Sequence, residues 1–169
     1  MRLAIIGSRD FPDRARVVRY VGQLSQETVV VSGKAPGVDR WAAEVARRRN
    51  MTVEELPADW DRLGRRAGFE RNEALVAKVD AVVAFWTTKS RGTAHAILVA
   101  LRKNKPIRVC GPRGEEIPKD RLRDMARRVL DAKAPPKPDD VNYDPAWEKD
   151  VVSTHRTAML RRWGRARVR

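Results

Sequence analysis

Cysteine, histidine and long apolar runs are scarce in this chain, and each shortage excludes a class of protein. One residue is cysteine and two are histidine, so the sequence has neither a disulfide framework nor the cluster typical of a zinc site. No apolar run approaches a membrane span. Residues 1–11 (MRLAIIGSRDF) lack the order of a secretory signal, because a glycine turn follows a short apolar segment. We therefore expect a cytoplasmic protein with no metal, no cofactor and no membrane partner.

Positive charge is what the chain has in excess. It carries 36 Lys and Arg against 22 Asp and Glu, a formal net charge of +14. The excess is shared between residues 1–113 and 114–169 and is not confined to a tail. Such a field favours anionic partners such as nucleotides, nucleic acid or phosphorylated metabolites, and it decides nothing narrower. We interpret the run Arg47-Arg48-Arg49 as solvated charges at the C-terminus of a helix, not as a polyanion contact.

Short apolar segments alternate with helical patterns along most of the chain. The predicted strands are 3–6, 28–31, 52–56, 81–85 and 107–110. The predicted helices are 12–24, 38–49, 68–78, 93–103 and 120–132. Several strands are apolar throughout, as expected when helices cover both faces of a parallel sheet. The sequence therefore predicts an α/β fold: a Rossmann-like, doubly wound parallel sheet of about five strands with a C-terminal helical extension.

The pattern changes towards the C-terminus. An additional helix within 114–133 precedes a proline-rich linker at 134–146, and 147–169 reads as a basic amphipathic helical arm. The residues that recur every four positions in this arm are Trp147, Val151, His155 and Met159. We expect the arm to bury this stripe against a second copy of the chain, giving a homodimer, with its basic face as a candidate contact for nucleic acid. The alternatives are cover of its own domain and a disordered tail.

Three predicted strand-to-helix turns combine glycine with hydroxyl and cationic residues. They are Gly7-Ser8-Arg9, residues 32–39 (SGKAPGVD) and Ser90-Arg91-Gly92-Thr93. Because the carboxyl ends of parallel strands meet at one edge of a sheet, we expect these turns side by side. Glycine allows close backbone approach and a helix N-terminus offers oriented N–H groups, so the turns suit a phosphate. None of them is a Walker A loop or a GxGxxG fingerprint.

A long charged connector, residues 57–72 (PADWDRLGRRAGFERN), joins the third strand to the next helix. Trp60 within it has two interpretations: it stacks on a base, or it seals the core. Arg71 and Asn72 stand at the predicted start of the helix, near the edge that carries the three turns. We expect their side chains to contact phosphate or ribose oxygens.

Five blocks of this sequence, in the same order, resemble the YspA-like branch of the SLOG superfamily. The blocks are IIGSRDF, SGKAPGVDRWAAEVA, ADWDRLGRRAGFERN, AVVAFW and SRGTAHAI. The superfamily also includes the phosphoribohydrolases of the LOG family and the DNA-processing protein DprA. The resemblance implies that residues 1–113 form a Rossmann-like domain that binds a nucleotide, a nucleotide-derived signal or single-stranded DNA. It also implies a link to phage or defence-related settings.

The LOG enzymes carry Gly-Gly-x-Gly-Thr-x-x-Glu after the fourth strand. The resemblance aligns Gly92-Thr93 with the Gly-Thr of this pattern and Ala96 with its glutamate, and it aligns Arg71 with a family arginine. In the LOG pattern the acid stabilises the positive charge that develops on ribose as the N-glycosidic bond breaks, and alanine cannot do so. The resemblance therefore implies that the phosphate site is retained and the acid is lost.

We predict a module that binds a nucleotide-derived ligand for sensing or sequestration, with no catalytic residue assigned. The alternatives are a LOG-like phosphoribohydrolase, with an acid from Asp39, Glu70 or Glu73, and DprA-like binding of single-stranded DNA. His95, beside the lost acid, is interpreted as a helix-surface residue. The predicted ligand-binding residues are Gly7, Ser8, Arg9, Ser32, Gly33, Ala35, Gly37, Asp39, Trp60, Arg71, Asn72, Ser90, Gly92 and Thr93.

Overall fold

The computed structural model describes residues 1–132, apart from the side chain of Arg65. The predicted linker (134–146) and basic arm (147–169) lie outside the described residues, and so does the expected dimer contact. Among the helices of residues 1–132, none combines the length and hydropathy needed to cross a membrane.

Strands and helices alternate along the described chain. The strands are β1 (Arg2–Gly7), β2 (Val29–Ser32), β3 (Val53–Glu55), β4 (Ala81–Phe85) and β5 (Ile107–Cys110). The helices are α1 (Arg14–Gly22), α2 (Val38–Arg48), α3 (Trp60–Leu63), α4 (Ala67–Ala77), α5 (Arg91–Arg102) and α6 (Lys119–Asp131), and a short 3-10 turn covers Gly64–Arg66. Each predicted strand and helix of this region is present, with ends that differ by a few residues. The sequence did not predict α3, which lies inside the charged connector.

The strands form one parallel sheet in the order β3-β2-β1-β4-β5. Strand β1 is central: Leu3 lies opposite Val30 of β2, and Ile5 lies opposite Val83 of β4. After β3 the chain returns to the middle of the sheet and continues on the other side, so the topological switch point lies between β1 and β4. This order confirms the predicted Rossmann-like, doubly wound fold.

Alternation of side chains along β1 builds two separate cores. Leu3 and Ile5 pack with apolar residues of α1 and α2 on one face. Ala4 and Ile6 pack on the other face with residues of α4, α5 and α6. Helices therefore cover both faces of the sheet, which explains why a strand such as β4 is apolar at every position. Helix α6 contributes the buried Leu122 to the second core and so belongs to the same folded unit.

Several arginines brace the fold by donating to backbone carbonyl groups. Nη1 of Arg49 donates to the carbonyl oxygens of Val21 and Leu24, at 2.7 and 2.8 Å, where α1 ends. Other arginines also donate to carbonyls of segments distant in sequence, among them Arg2, Arg16 and Arg91. The interpretation of the run 47–49 as solvated charges is therefore wrong for Arg49.

We expect Arg49→Ala to lower the free energy of unfolding by about 1–3 kcal/mol, because two carbonyl groups at the end of α1 lose their donor. Arg48 is the matched control, since it precedes Arg49 and its side chain is exposed. Changes at such positions usually stay within about 0.5 kcal/mol. Urea unfolding of Arg48→Ala and Arg49→Ala measures the difference, and equal stabilities would contradict the bracing role.

Candidate ligand-binding site

A cavity of about 870 Å³ lies at the carboxyl edge of the sheet, beside the switch point between β1 and β4. Its volume is within the range of small-molecule sites, about 300–1,000 Å³. The turns after β1, β2 and β4 line it together with the charged connector. The predicted ligand-binding residues that line it are Gly7, Arg9, Gly33, Ala35, Asp39, Trp60, Arg71, Asn72, Ser90, Gly92 and Thr93. Their contact with a ligand stays a prediction.

The two buried serines of the predicted site do not line this cavity. Oγ of Ser8 accepts hydrogen bonds from the N–H and the hydroxyl of Thr87, at 3.0 and 3.1 Å. Oγ of Ser32 donates to the carbonyl of Asp39 at 3.3 Å and accepts from the N–H of Lys34 at 3.1 Å. Both hydroxyl groups thus hold the turns in shape, and the structure gives no support for their direct contact with a ligand.

Gly37 also lies outside the cavity lining, although it belongs to the second turn. Its φ is +82°, a backbone conformation that favours glycine. A Cβ at this position would lie 2.6 Å from Cα of Arg9 and 2.8 Å from its carbonyl carbon. Gly37 therefore allows the second turn to pack directly against the backbone of the first, which leaves the side chain of Arg9 in the cavity wall.

Asp39 is only 3% exposed and joins the first two turns. Oδ1 accepts from the N–H of Gly7 at 3.2 Å, and Oδ2 accepts from the N–H of Gly33 at 3.0 Å. Burial raises the pKa of Asp39 to about 6, while Arg71 and the backbone N–H groups act in the opposite direction. Because both carboxyl oxygens are used by the backbone, Asp39 positions the two turns.

The guanidinium group of Arg71 lies over Gly33. Nη1 of Arg71 donates to the carbonyl of Gly33, and Nε donates to Oδ1 of Asn72 at 3.1 Å. A Cβ at Gly33 would overlap the guanidinium group, so a larger residue here would displace the side chain of Arg71. Helix α4 begins at Ala67, which places Arg71 in its second turn and corrects the prediction that Arg71 starts the helix.

The third turn ends at the N-terminus of α5. Ser90 caps this helix, with Oγ accepting from the N–H of Thr93 at 3.4 Å, and Nδ2 of Asn72 donates to the carbonyl of Gly92 at 3.0 Å. A Cβ at Gly92 would meet nothing within 4 Å, so the space beside the helix terminus is open. Arg91 donates to two carbonyls at the end of α6, so the cation of this turn is used within the fold.

Two exposed aromatic residues, Trp60 and Phe69, form another part of the cavity wall. Trp60 is 54% exposed and Phe69 is 38% exposed. Trp60 lies over Gly68, where a Cβ would be 3.2 Å from its ring. Trp60 therefore does not seal the core, and stacking on a base remains as its interpretation. The sequence analysis missed Phe69, although it is an aromatic residue within a charged stretch.

His95, interpreted as a helix-surface residue, is half-buried in the structure. Its ring stacks on Phe69 with centroids 4.2 Å apart and an interplanar angle of 16°. Burial lowers the pKa of His95, which favours the neutral imidazole. Its Nδ1 is buried and has no hydrogen-bond partner among the described residues. His95 supports the aromatic wall from behind and does not line the cavity.

The carboxyl groups that line the cavity belong to Asp10 and Asp39. Neither Glu70 nor Glu73 lines it, and Glu73 forms an ion pair with an arginine of α5. Ala96, the position of the glutamate in the LOG pattern, is part of the wall. Within residues 1–132, no group of three His, Cys, Asp or Glu is arranged to hold a metal ion.

The cavity has further lining residues that the sequence did not single out. They are Ile6, Asp10, Pro36, Arg40, Pro57, Ala58, Gly68 and Phe69. A signal for Arg40 was present, since it is a cation in the first turn of a helix that follows a glycine turn. The connector residues Pro57, Ala58, Gly68 and Phe69 reach the cavity because the connector folds back towards the sheet, which local patterns do not encode.

The chain is similar to a protein family, to a phage protein and to a solved structure. The family model YAcAr, described as the YspA, cpYpsA-related SLOG family, matches residues 1–63. Gene 61 protein of Mycobacterium phage D29 is 34% identical over 116 residues, which are 63% of this chain and 93% of that protein. A solved structure of DNA processing protein A from Helicobacter pylori, described for its single-stranded DNA binding mode, covers 79% of this chain and 82% of its own, with a TM-score of 0.53 and 18% identity.

At that identity the third similarity shows the shared fold alone. The family match and the similarity to the phage protein indicate common ancestry, because this chain covers almost all of the phage protein. They agree with the resemblance that the five sequence blocks predicted. The chain therefore belongs to the YspA, cpYpsA-related SLOG family.

Proposed function

We propose that the cavity binds a nucleotide, or a ligand derived from one, through its phosphate group. The observation that carries this proposal is that one cavity is lined by the open N-terminus of α5, by Arg71 and by two exposed aromatic side chains. Backbone N–H groups and the helix dipole favour a phosphate beside Gly92. The rings of Trp60 and Phe69 offer a flat apolar surface to a base.

Binding is favoured over hydrolysis of an N-glycosidic bond by the state of the carboxyl groups. Both oxygens of Asp39 accept backbone N–H groups, so this residue has little freedom to act on a ribose. Asp10, the other carboxyl group of the lining, is exposed to solvent. Ala96 has no group that stabilises a developing positive charge. These features support a module that holds its ligand.

Single-stranded DNA is the second candidate ligand. The fold likeness to DNA processing protein A from Helicobacter pylori favours it, as does the pairing of aromatic rings with lining cations. Binding of single strands usually needs a basic groove that follows the backbone over several nucleotides. A cavity of about 870 Å³ fits a small ligand better, so we place single-stranded DNA second.

We expect the wild-type protein to bind AMP and Arg9→Ala to bind it more weakly by about 1.5–3 kcal/mol, the range for a hydrogen bond to a charged group. Arg9 is exposed, so its removal tests the ligand site with little effect on the fold. Arg48→Ala is the matched control, because it removes the same charge from α2 outside the cavity. Isothermal titration calorimetry measures all three affinities.

Equal affinities of Arg9→Ala and Arg48→Ala would contradict the proposed site. Chromatography of the same mixtures tests turnover, and release of free adenine by the wild-type protein would favour the phosphoribohydrolase alternative. A labelled decanucleotide bound more tightly than AMP, in a manner sensitive to Arg9, would favour single-stranded DNA.

A further inference from the structure

A second cavity, of about 430 Å³, adjoins the first. Its lining residues are Lys34, Arg40, Ala43, Glu44, Arg47 and Glu55. Four of these recur at helical spacing on one face of α2, and Glu55 of β3 stands on the opposite side. Lys34 and Arg40 line both cavities, so the two form one continuous depression that reaches the edge strand of the sheet.

The second cavity is too distant from the N-terminus of α5 for one phosphate group to reach both. Helix α5 follows β4, and the second cavity ends at β3; strands β1 and β2 lie between them. Neighbouring strands are about 4.8 Å apart, so three spacings separate the two ends by about 14 Å. The cations of the second cavity would therefore meet a different part of the ligand.

Positive charge in the second cavity is only partly neutralised. Lys34 and Arg47 share the carboxylate of Glu55, with N···O distances of 3.7 and 2.7 Å. Glu44 is paired with Arg14, which does not line the cavity. Within the described part of the chain Arg40 forms no ion pair. A further anionic group is therefore favoured between Arg40 and Lys34, where the two cavities meet.

We propose that the ligand is a dinucleotide, with one nucleoside unit in the first cavity and the second unit extending over Lys34 and Arg40 into the second. This inference rests on the proposed function, since it assigns the class of ligand to the same site. A phosphodiester and a pyrophosphate bridge present the same chemistry to these cations: negative oxygens followed by a second nucleoside. Either linkage supplies the anionic group that is favoured between Lys34 and Arg40, and the experiment distinguishes them.

The test compares AMP with two dinucleotides, the phosphodiester pApA and diadenosine pyrophosphate, by calorimetry on the full chain at 0.15 M salt. We expect at least one dinucleotide to bind about tenfold more tightly than AMP, as one added charged hydrogen bond provides. The tighter of the two identifies the linkage. Arg47→Glu should remove most of this gain and leave the affinity for AMP unchanged, because Arg47 lines only the second cavity.

Arg48→Glu is the matched control, since it makes the same change of charge at the next position of α2, outside both cavities. Glu55→Gln is the reciprocal variant: it releases Lys34 and Arg47 from their ion pair and should raise the affinity for the dinucleotide severalfold. Thermal unfolding checks that each variant is folded. If Arg47→Glu does not fold, the affinity of Glu55→Gln for the dinucleotide still tests the second cavity: an increase supports the proposal, and no increase contradicts it.

The outcomes separate this inference from the proposed function. If AMP binds and neither dinucleotide binds more tightly, the dinucleotide class is overturned while the nucleotide site stands. If none of the three binds, both are overturned. Equal losses in Arg47→Glu and Arg48→Glu would show a general effect of charge and exclude the second cavity from the site. A decanucleotide that binds more tightly than both dinucleotides would assign the depression to nucleic acid instead.

Discussion

Gly33→Ala is expected to abolish ligand binding and to lower the free energy of unfolding by about 1–3 kcal/mol, the usual cost of overpacking. The added methyl group would overlap the guanidinium group of Arg71 and lie 2.9 Å from Oδ2 of Asp39. Arg71 donates to the carbonyl of Gly33, and Asp39 accepts its N–H. Neither side chain can move away without losing a hydrogen bond. Urea unfolding and calorimetry with AMP measure the two effects.

Two other glycines serve as controls for this variant. Gly92 and Gly22 both lie in helices, and a Cβ at either would meet nothing within 4 Å. Each change to alanine should preserve stability or add up to about 1 kcal/mol, because glycine is the more flexible residue in the unfolded chain. Gly92→Ala should still lower the affinity for the ligand, whereas Gly22→Ala should leave that affinity unchanged. A similar loss of stability in all three variants would contradict the close packing at Gly33.

The contribution of Asp39 to stability is expected to fall by about 2 kcal/mol as the pH rises from 4 to 7. Burial raises the native pKa of Asp39 to about 6, against an ordinary value of 3.8. The native protein therefore binds this proton more tightly than the unfolded chain does. Stabilisation by the protonated carboxyl is complete below pH 3.8 and is lost as the pH rises through 6.

Asp39→Asn isolates this effect, because asparagine has the same size and does not titrate. Its amide N–H₂ would face an N–H of Gly7 or Gly33, so the variant should be the less stable protein at acidic pH. Urea unfolding at pH 4, 5.5 and 7 measures the stability difference between the two proteins, which should narrow with rising pH. Other carboxyl groups titrate in both proteins and cancel. A difference that does not change with pH would contradict the raised pKa.

The fold was predictable because its signal is local. Segments such as 81–85 are apolar at every position, which is expected of a strand only when helices cover both of its faces. The helices between them carry apolar residues at helical spacing. The order of the strands was not predicted, since it depends on pairing between segments far apart in the chain, such as Leu3 opposite Val30.

The roles of polar residues at the site were harder to predict, because each depends on what lies nearby in three dimensions. In the sequence, Ser8 and Ser90 suit a phosphate equally well, because each is a hydroxyl residue in a turn that contains glycine. The structure uses Ser8 to hold Thr87, 79 positions further along the chain, and leaves Ser90 at the cavity wall. Arg91 likewise reaches carbonyl groups of α6. A single aromatic residue shows no sequence periodicity, so the sequence allows two interpretations of Trp60. Its exposure in the structure distinguishes them.

The arginines that donate to backbone carbonyl groups restrict which substitutions this protein tolerates. An exchange of arginine for lysine leaves the formal net charge at +14. At Arg49 it would replace a planar fork by a single flexible ammonium group, and the two carbonyls at the end of α1 depend on the reach and shape of that fork. At position 49 the choice of arginine over lysine thus has a structural cause, which is separate from any attraction to an anionic partner.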